Sequence, residues 1–374
     1  MNPAGLGVLV TTRSVIICCG PGGVGKTTTA AALGIAAARR GRRVCVVTID
    51  PARRLADALG LDELSDTPRR IADDGRWPGE LWGLMLDTRS TFDALITRYA
   101  ESPEQAQGIL SNRLYRNIAG ALSGTQEYMA MEKLYELHAD ERFDLVVVDT
   151  PPSRNALDFL DAPRRLSRFL DNRVFRMLMT PTRAYLRAVS VATQTFLRTV
   201  SKVVGADVIG DAIAFFRAFE GMEQGFRERA EAVRTLLADP TVAFALVVTP
   251  RRDAVAEALF FAAKLGECGL SIDALVVNRA HPSFDASPGA DRARAASLSG
   301  TPLAPLYANR ADLGELAQRE ADHIAAVAVQ VTSGSVVRVA FLADDVHDIA
   351  GLEQIAARLC ADTGGPAGCQ IPAG

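Results

Sequence analysis

The sequence predicts a doubly wound, mostly parallel α/β sheet with an inserted all-α subdomain. Short runs rich in Val, Ile and Leu recur along the 374 residues, and longer segments with helical periodicity separate them. Continuous apolar runs are typical of strands buried on both faces, and helices between them provide the crossovers that parallel strands need. The predicted strands are residues 14–19, 43–49, 81–86, 143–148, 242–248, 274–277 and 336–342.

One interval breaks this alternation of strand and helix. Residues 150–241 are far more than one crossover helix requires, and their apolar residues recur at three- and four-residue steps among arginines. We therefore expect a sheet domain made of residues 1–149 and 242–360, with residues 150–241 as an inserted helical subdomain. The Gly- and Pro-rich residues 361–374 are expected to form a disordered tail.

Composition excludes several classes of protein. A net charge of −3 argues against nucleic-acid binding by the whole molecule, although residues 151–205 carry ten basic and three acidic side chains. No apolar stretch reaches the ~18 residues of a membrane span, and the N-terminus lacks the pattern of a secretory signal. We expect a cytoplasmic protein. The six cysteines and four histidines are scattered, so neither a zinc site nor a disulfide framework is expected.

A glycine-rich loop follows the first predicted strand. Its sequence, Gly-Pro-Gly-Gly-Val-Gly-Lys-Thr over residues 20–27, fits the Walker A pattern G-x-x-x-x-G-K-[ST] and precedes an Ala-rich helix over residues 28–39. Glycines let backbone N–H groups converge on phosphates, the lysine reaches the β and γ oxygens, and the threonine hydroxyl can bind Mg²⁺. ATP and Mg²⁺ are the expected ligands. The candidate nucleotide-binding residues here are Gly20, Gly22, Gly23, Val24, Gly25, Lys26, Thr27 and Thr28.

Two carboxylates follow predicted strands of the same sheet. Asp149 ends the fourth run, where it can orient Mg²⁺ together with Thr27, and Asp50 ends the second run. A carboxylate at the position of Asp50 can orient or deprotonate the water that attacks the γ-phosphate, so Asp50 and Lys26 are the candidate catalytic residues. Thr27, Asp50 and Asp149 are the candidate metal ligands. The alternative is that both carboxylates only cap the helices that follow them.

With these three motifs the chain resembles the ArsA type of deviant Walker A ATPases, the arsenite-pump and guided-entry family, over nearly its whole length. The shared features are the loop with adjacent glycines, the segments Asp50-Pro51-Ala52 and Asp149-Thr150-Pro151-Pro152, the inserted helices and Val276-Val277-Asn278. The resemblance implies a P-loop NTPase fold and a Mg-dependent ATPase, in which Asn278 reads the adenine base. The arginine-rich run after Asp149 looks most similar to versions in high-GC actinobacteria, where such ATPases come as adjacent, non-identical pairs.

One position departs from the pattern of that family. Its members usually carry a lysine directly after the first loop glycine, which reaches across a dimer to the partner's nucleotide, whereas this chain has Pro21. Proline has neither a charge nor a backbone donor, so it cannot replace that cation. We therefore expect an asymmetric heterodimer with a paralogous, lysine-bearing subunit, and slow hydrolysis by the isolated chain. The zinc-binding C-x-x-C of the guided-entry members is also absent, and no counterpart of the arsenite-binding cysteines is visible.

The inserted helices have several interpretations. In the guided-entry branch, helices at this place form a groove for hydrophobic transmembrane segments, so residues 164–226 are a candidate surface for a hydrophobic client. Their basic residues also suit an anionic membrane, which would make the protein a peripheral membrane protein, or an anionic ligand. The alternatives are packing within the core of the insert and a solvated arginine face.

The motifs favour two classes of function and argue against two others. The leading hypothesis is an ATP-driven switch enzyme that couples its nucleotide state to the insert. A non-catalytic, nucleotide-binding regulatory subunit is the alternative that Pro21 favours, whereas Asp50 favours hydrolysis. A partitioning or cell-division ATPase normally keeps the lysine and lacks so long an insert. A signal-recognition GTPase would need an Asp after a Lys in the base-reading segment, which Asn278-Arg279-Ala280 does not provide.

Overall fold

The structure is a computed structural model that describes residues 6–49, 54–71, 75–118, 125–151, 211, 214, 215, 218, 221–331, 335–342 and 344–361. The chain divides into two compact units. The first comprises Met1–Met85, Leu137–Leu157 and Ala238–Gly374, and the second comprises Leu86–Glu136 and Asp158–Leu237. Residues 152–210 of the predicted insert and residues 362–374 of the predicted tail lie outside the described residues, so those domain bounds remain a prediction.

An eight-stranded sheet forms the first unit. Its strands are β1 (Val15–Cys19), β2 (Arg43–Thr48), β3 (Arg69–Ile71), β4 (Glu80–Met85), β5 (Leu145–Asp149), β6 (Val242–Val248), β7 (Ala274–Ala280) and β8 (Ser335–Ala340). The order in the sheet is β3-β4-β2-β5-β1-β6-β7-β8, and all neighbours are parallel except β3 and β4. This confirms the predicted mostly parallel, doubly wound P-loop NTPase fold.

Twelve helices are described along the chain. They are α1 (Gly7–Thr12), α2 (Lys26–Ala38), α3 (Arg54–Ala58), α4 (Thr88–Tyr99), α5 (Pro103–Leu110), α6 (Arg113–Ile118), α7 (Thr125–His138), α8 (Glu223–Leu237), α9 (Arg252–Glu267), α10 (Pro288–Ser297), α11 (Leu303–Ala328) and α12 (Ile349–Leu359). Among the described residues, none of these helices combines the length and the apolar composition that crossing a membrane requires.

The central strands and α2 form the core that positions the loop. All five residues of β1 are buried, and so is every residue of α2 from Thr29 to Ala38. The small side chains of α2 let it lie close to the sheet, since a Cβ atom added at Gly34 would come within 2.5 Å of Cγ2 of Val46 on β2. The N-terminus of α2 is therefore held firmly at the carboxyl end of β1.

Helices α4 to α8 supply the core of the second unit. Although α4 to α7 precede β5 in sequence, their buried side chains pack with those of α8, which lies within the predicted insert. The shared cluster consists of Leu95, Ile96, Ala106, Ile109, Tyr115, Tyr128, Met129, Met222, Phe226 and Ala230. The sequence prediction had placed residues 86–136 with the sheet domain, but they group with the second unit.

A buried ion pair joins α7 to α8 within the second unit. The guanidinium of Arg229 donates to both carboxylate oxygens of Glu132 at 2.8 Å, and Glu132 is only 2% exposed. The guanidinium also lies 3.7 Å from the ring centroid of Tyr135. Burial alone would lower the pKa of Arg229, but the hydrogen bond and the charge of Glu132 outweigh burial and raise it.

We expect Arg229→Met to lower the free energy of unfolding by about 3 kcal/mol, because the buried Glu132 carboxylate loses its hydrogen-bonded partner and keeps only the half-exposed Arg98, 3.7 Å away. Arg234→Met is the control on the same helix, since Arg234 forms an exposed pair with Glu231 and should lose less than about 1 kcal/mol. Urea denaturation followed by circular dichroism measures both. Equal losses for the two variants would show that the buried pair contributes nothing particular to stability.

Candidate nucleotide-binding site

The glycine-rich loop connects β1 to α2 through positions that only glycine fills well. Gly20, Gly23 and Gly25 all have positive φ. A Cβ atom at Gly20 would lie 2.1 Å from the carbonyl oxygen of Val247 on β6, and one at Gly25 would lie 2.3 Å from Nδ2 of Asn278 on β7. The loop therefore packs directly against the ends of β6 and β7. Its path requires glycine at positions 20 and 25, because a Cβ atom at either position would overlap a neighbouring strand.

Backbone donors and a lysine meet where this loop becomes a helix. Within the described part of the chain, no side chain caps the N-terminus of α2, so its first N–H groups are available to an anion. Lys26, the first residue of α2, is 7% exposed, and its Nζ donates to the carbonyl oxygen of Pro21 at 2.8 Å. The ammonium group therefore lies within the loop. This geometry suits a bound phosphate chain, because both the helix terminus and the lysine favour negative charge.

Asp149 lies beside the start of α2. It ends β5 and is 1% exposed, and its Oδ2 accepts hydrogen bonds from the hydroxyls of Thr27 at 2.8 Å and Thr48 at 2.9 Å. Thr48 is the direct neighbour of Asp149 in the pairing of β2 with β5. The pairing of β2 with β5 therefore positions the carboxylate next to Thr48, and its contact with Thr27 holds it against the first turn of α2.

The oxygen donors around Asp149 fit a magnesium ion. A carboxylate and hydroxyl groups are hard ligands of the kind that Mg²⁺ takes, and Mg²⁺ usually combines one or two such ligands with phosphate oxygens and waters. Among the described residues, no group of three or more His, Cys, Asp or Glu side chains could hold a metal ion alone. The chemistry of this end of the loop therefore suits a cation that arrives together with a phosphate chain.

Two cysteines at the end of β1 belong to the core. Burial is the main reason that the pKa of Cys18 is raised, with the negative charge of Asp149 adding to it, and burial raises the pKa of Cys19 to about 12. Both thiols therefore stay protonated at neutral pH and act as small packing residues. The Cys18 carbonyl also accepts a hydrogen bond from the Thr150 hydroxyl at 2.9 Å, which fixes the backbone after Asp149.

Asn278 contacts the loop itself. Its Nδ2 donates to the carbonyl oxygen of Val24 at 2.8 Å, and its Oδ1 accepts from the backbone N–H of Arg279 at 3.0 Å. The resemblance implied only a base-reading role for this residue, and sequence reasoning did not predict that it would tether the loop. An amide carries a second N–H and further lone pairs, so contact with a base remains a compatible prediction.

A cavity of about 470 Å³ opens next to the loop on the side of β6 and β7. It is lined by Pro21, Gly22, Gly23, Thr249, Pro250, Arg251, Asp253, Ala254, Glu257, Arg279, His281, Glu320 and Phe341. Most of these side chains come from segments that follow β6, β7 and β8. Ligands of open α/β sheets bind outside the carboxyl ends of the strands. The residues that directly follow each predicted strand could therefore have been identified from the sequence as candidates for the lining.

Hydrogen bonds and a ring contact order the far wall of this cavity. His281 Nδ1 lies 2.7 Å from Oε1 of Glu320, and the backbone N–H of His281 donates to Oε2 of the same carboxylate at 2.8 Å. The ring of Phe341 stacks on that of His281 with centroids 6.2 Å apart. No sequence pattern indicated His281, Glu320 and Phe341 as site residues, because their grouping depends on how strand ends and α11 meet in space.

The structure brings together most of the predicted site residues. Gly20 to Thr28, Asp149 and Asn278 surround the start of α2, with Thr28 half-buried in its first turn. Asp50, together with Pro51, Ala52 and Arg53, lies outside the described residues, so its catalytic and metal-binding roles remain predictions. The sheet, the loop and the aspartate at the end of β5 define the class: this is a protein of the P-loop NTPase fold.

Comparison with known proteins gives the family. A family model described as anion-transporting ATPase, of the ArsA type, matches residues 13–295, which is more than half of the chain. The chain therefore belongs to the ArsA-type anion-transporting ATPase family, as the sequence motifs predicted.

Three curated relatives illustrate this membership. The chain is 30% identical to Protein Rv2184c of Mycobacterium tuberculosis, over 70% of this chain and 57% of that protein. It is 32% identical to the ATPase GET3 of Malassezia globosa, over 41% of this chain and 44% of that protein. It is 30% identical to a protein of Streptomyces coelicolor, over 72% and 63% of the two chains. The chain thus spans less than two thirds of the length of each relative.

We expect Gly20→Ala to lower the free energy of unfolding by about 2 kcal/mol more than Gly41→Ala does. Both glycines have positive φ, but a Cβ atom at Gly20 meets the backbone of β6, whereas one at Gly41 meets no described residue within 4 Å. The comparison separates steric overlap from the cost of positive φ alone. Chemical denaturation measures it, and similar losses in the two variants would mean that the loop can move away from β6 without cost.

Proposed function

We propose that this chain is a Mg-dependent ATP-binding and hydrolysing switch protein, and that it works as one half of a heterodimer with a lysine-bearing paralogue. The observation that carries the proposal is the contact between Thr27 and Asp149, which sets a hydroxyl and a buried carboxylate side by side at the first turn of α2. That arrangement suits a cation bridging to phosphates held on the loop. ATP would supply the phosphoryl group, and the chain would supply positioning and charge.

Each predicted residue has a distinct task in this proposal. Lys26 would exchange its bond to the Pro21 carbonyl for bonds to the β and γ oxygens, and Thr27 and Asp149 would hold Mg²⁺ directly or through a water. Asp50 would orient the attacking water. The tether from Asn278 to Val24 would keep the loop in place while Asn278 also contacts the base.

Pro21 supports the asymmetric part of the proposal. It lines the cavity beside Gly22 and Gly23, at the position where the family usually has its lysine. Because proline offers no cation, two copies of this chain would both lack the charge that a partner contributes during hydrolysis. Loss of a comparable charge costs about 10³ to 10⁵ in rate in related GTPases. A partner that carries the lysine would restore the missing charge at the site on this chain.

The output of the switch is proposed from the family alone. Residues 164–226 would change shape with the nucleotide state and present a surface to a hydrophobic client or to an anionic membrane, at which the otherwise cytoplasmic protein would bind peripherally. One of the relatives, the ATPase GET3 of Malassezia globosa, is by its name an ATPase.

A regulatory subunit is the second candidate. Such a subunit would bind nucleotide to complete the assembly but would not hydrolyse the nucleotide. Pro21 favours this role, because the chain cannot contribute a positive charge to its partner. Turnover by the paired complex with Asp50→Asn in this chain distinguishes the two candidates. A loss of about half the turnover or more supports catalysis by this chain, whereas unchanged turnover supports the regulatory role.

Lys26→Ala should weaken MgATP binding by about 10- to 100-fold, because it removes a charge-assisted donor from the centre of the loop. Lys264→Ala is the control, since Lys264 pairs with Glu267 on the exposed face of α9 and should keep its affinity. Isothermal titration calorimetry gives both dissociation constants. If the two variants bind MgATP equally well, the loop is not the nucleotide site.

The purified chain alone should bind MgATP but hydrolyse it very slowly, and Pro21→Lys should raise its turnover by at least about tenfold, since two copies could then exchange cations. Phosphate release measured across a range of protein concentrations reveals the dependence on dimer formation. Brisk turnover by the unchanged chain would contradict the heterodimer, and so would a Pro21→Lys chain that dimerises with nucleotide yet stays as slow as its parent.

A further inference from the structure

Arg279 has an unusual backbone conformation at the carboxyl end of β7. Its φ is 55°, and among the described residues it is the non-glycine residue with positive φ. Side chains beyond glycine adopt this left-handed region at a cost in free energy, because the Cβ atom approaches the following carbonyl. Such residues cluster at binding and catalytic sites, where the surroundings hold them in place.

A bulge in β7 explains how Arg279 comes to this position. The register with β8 runs from Val277 opposite Arg338 to Ala280 opposite Ala340, so β7 has one extra residue between these pairs. A bulge re-aims the side chains of the strand that carries it. Here Asn278 contacts the loop at Val24, while Arg279 lines the cavity. The backbone N–H of Arg279 donates a hydrogen bond to the side-chain Oδ1 of Asn278. Because Asn278 also contacts the loop, it links the backbone of Arg279 to the loop.

Among the described residues that line the cavity, the cation of Arg279 has no counter-ion. Arg251 pairs with Asp253 at 2.9 Å, and Glu320 is engaged by His281. Glu257, the remaining carboxylate of the lining, also has an interaction of its own. In the part of the chain that the structure describes, no residue forms a hydrogen bond or an ion pair with the guanidinium of Arg279. Among the described residues, the positive charge of Arg279 therefore has no partner in the cavity that Gly22 and Gly23 also line.

We infer that Arg279 binds the phosphate chain of the nucleotide held on the loop, as a second cation in addition to Lys26. This inference rests on the proposed function. A guanidinium offers planar, paired donors that match phosphate oxygens, and it stays charged at every physiological pH. Lys26 approaches the phosphates from the first turn of α2, and Arg279 approaches them from β7. The cost of the left-handed conformation is offset by the contact it makes possible.

The charge of Arg279 is tested by two substitutions and a control. Arg279→Gln should weaken MgATP and MgADP binding by about 10- to 100-fold, because it removes a charge-assisted contact. Arg279→Lys keeps the charge but loses the planar, paired donors, so it should lose clearly less affinity than Arg279→Gln without matching the parent. Arg338→Gln is the control, since Arg338 is exposed on the neighbouring strand and outside the cavity lining, and it should bind as the parent does. Calorimetry supplies the dissociation constants.

The backbone of Arg279 is tested separately with Arg279→Gly. Glycine adopts positive φ freely, so this variant should have a Tm equal to or above that of the parent while binding MgATP as weakly as Arg279→Gln. A residue that only supports the fold would instead lower Tm on removal.

Several results would overturn the inference. They are an affinity of Arg279→Gln within twofold of the parent, an equal loss in Arg338→Gln, and a loss in Arg279→Lys as large as that in Arg279→Gln. Failure of the parent chain to bind MgATP would overturn the proposed function as well, whereas parent binding with an unaffected Arg279→Gln would overturn this inference alone.

Discussion

The buried carboxylate of Asp149 is the constraint on which the phosphate-binding end of the sheet depends. A negative charge that is 1% exposed is costly unless hydrogen bonds or cations compensate it, and here the hydroxyls of Thr27 and Thr48 both donate to it. These three residues belong to β5, α2 and β2. One carboxylate therefore fixes the position of the helix N-terminus relative to two strands, and it does so at the place where a metal and a phosphate chain would need rigid ligands.

On the side away from Asp149, the glycine-rich loop is constrained by its packing against β6 and β7 rather than by charge. Gly20 passes the β6 carbonyl so closely that no side chain fits, and Asn278 on β7 bonds to the Val24 carbonyl. The two sets of contacts have different consequences for binding. The Asp149 side would provide oxygen ligands for a cation, while the β6 and β7 side provides the cavity and the guanidinium of Arg279, which has no partner among the described residues. A nucleotide lying across the loop would meet both sides.

Sequence patterns predicted the parts that depend on local order. The apolar runs located seven of the eight described strands, and the loop motif with its flanking strand and helix located Lys26 and Thr27. The edge strand β3 was not predicted, because only Ile71 of its three residues is buried and the strand therefore lacks an apolar run. The family resemblance, once the motifs were in hand, was confirmed by the family model.

Contacts between segments that are far apart in the sequence could not be predicted from local sequence patterns. The pair formed by Glu132 and Arg229 looks like two ordinary surface charges in the sequence, since nothing local shows that α7 packs against α8. The approach of Glu320 to His281 likewise requires α11 to pass the end of β7. The bulge that turns Arg279 into the cavity arises from the register with β8, which no periodicity in β7 reveals.

The most direct test of the central claim is the magnesium dependence of ATP affinity in the parent chain and in Asp149→Asn. If Asp149 and the loop together hold MgATP, Mg²⁺ should strengthen ATP binding to the parent by at least about tenfold, and most of that gain should vanish in the variant, because a neutral amide is a poor ligand for Mg²⁺. The same gain in both proteins would contradict the account, since it would place the cation away from Asp149.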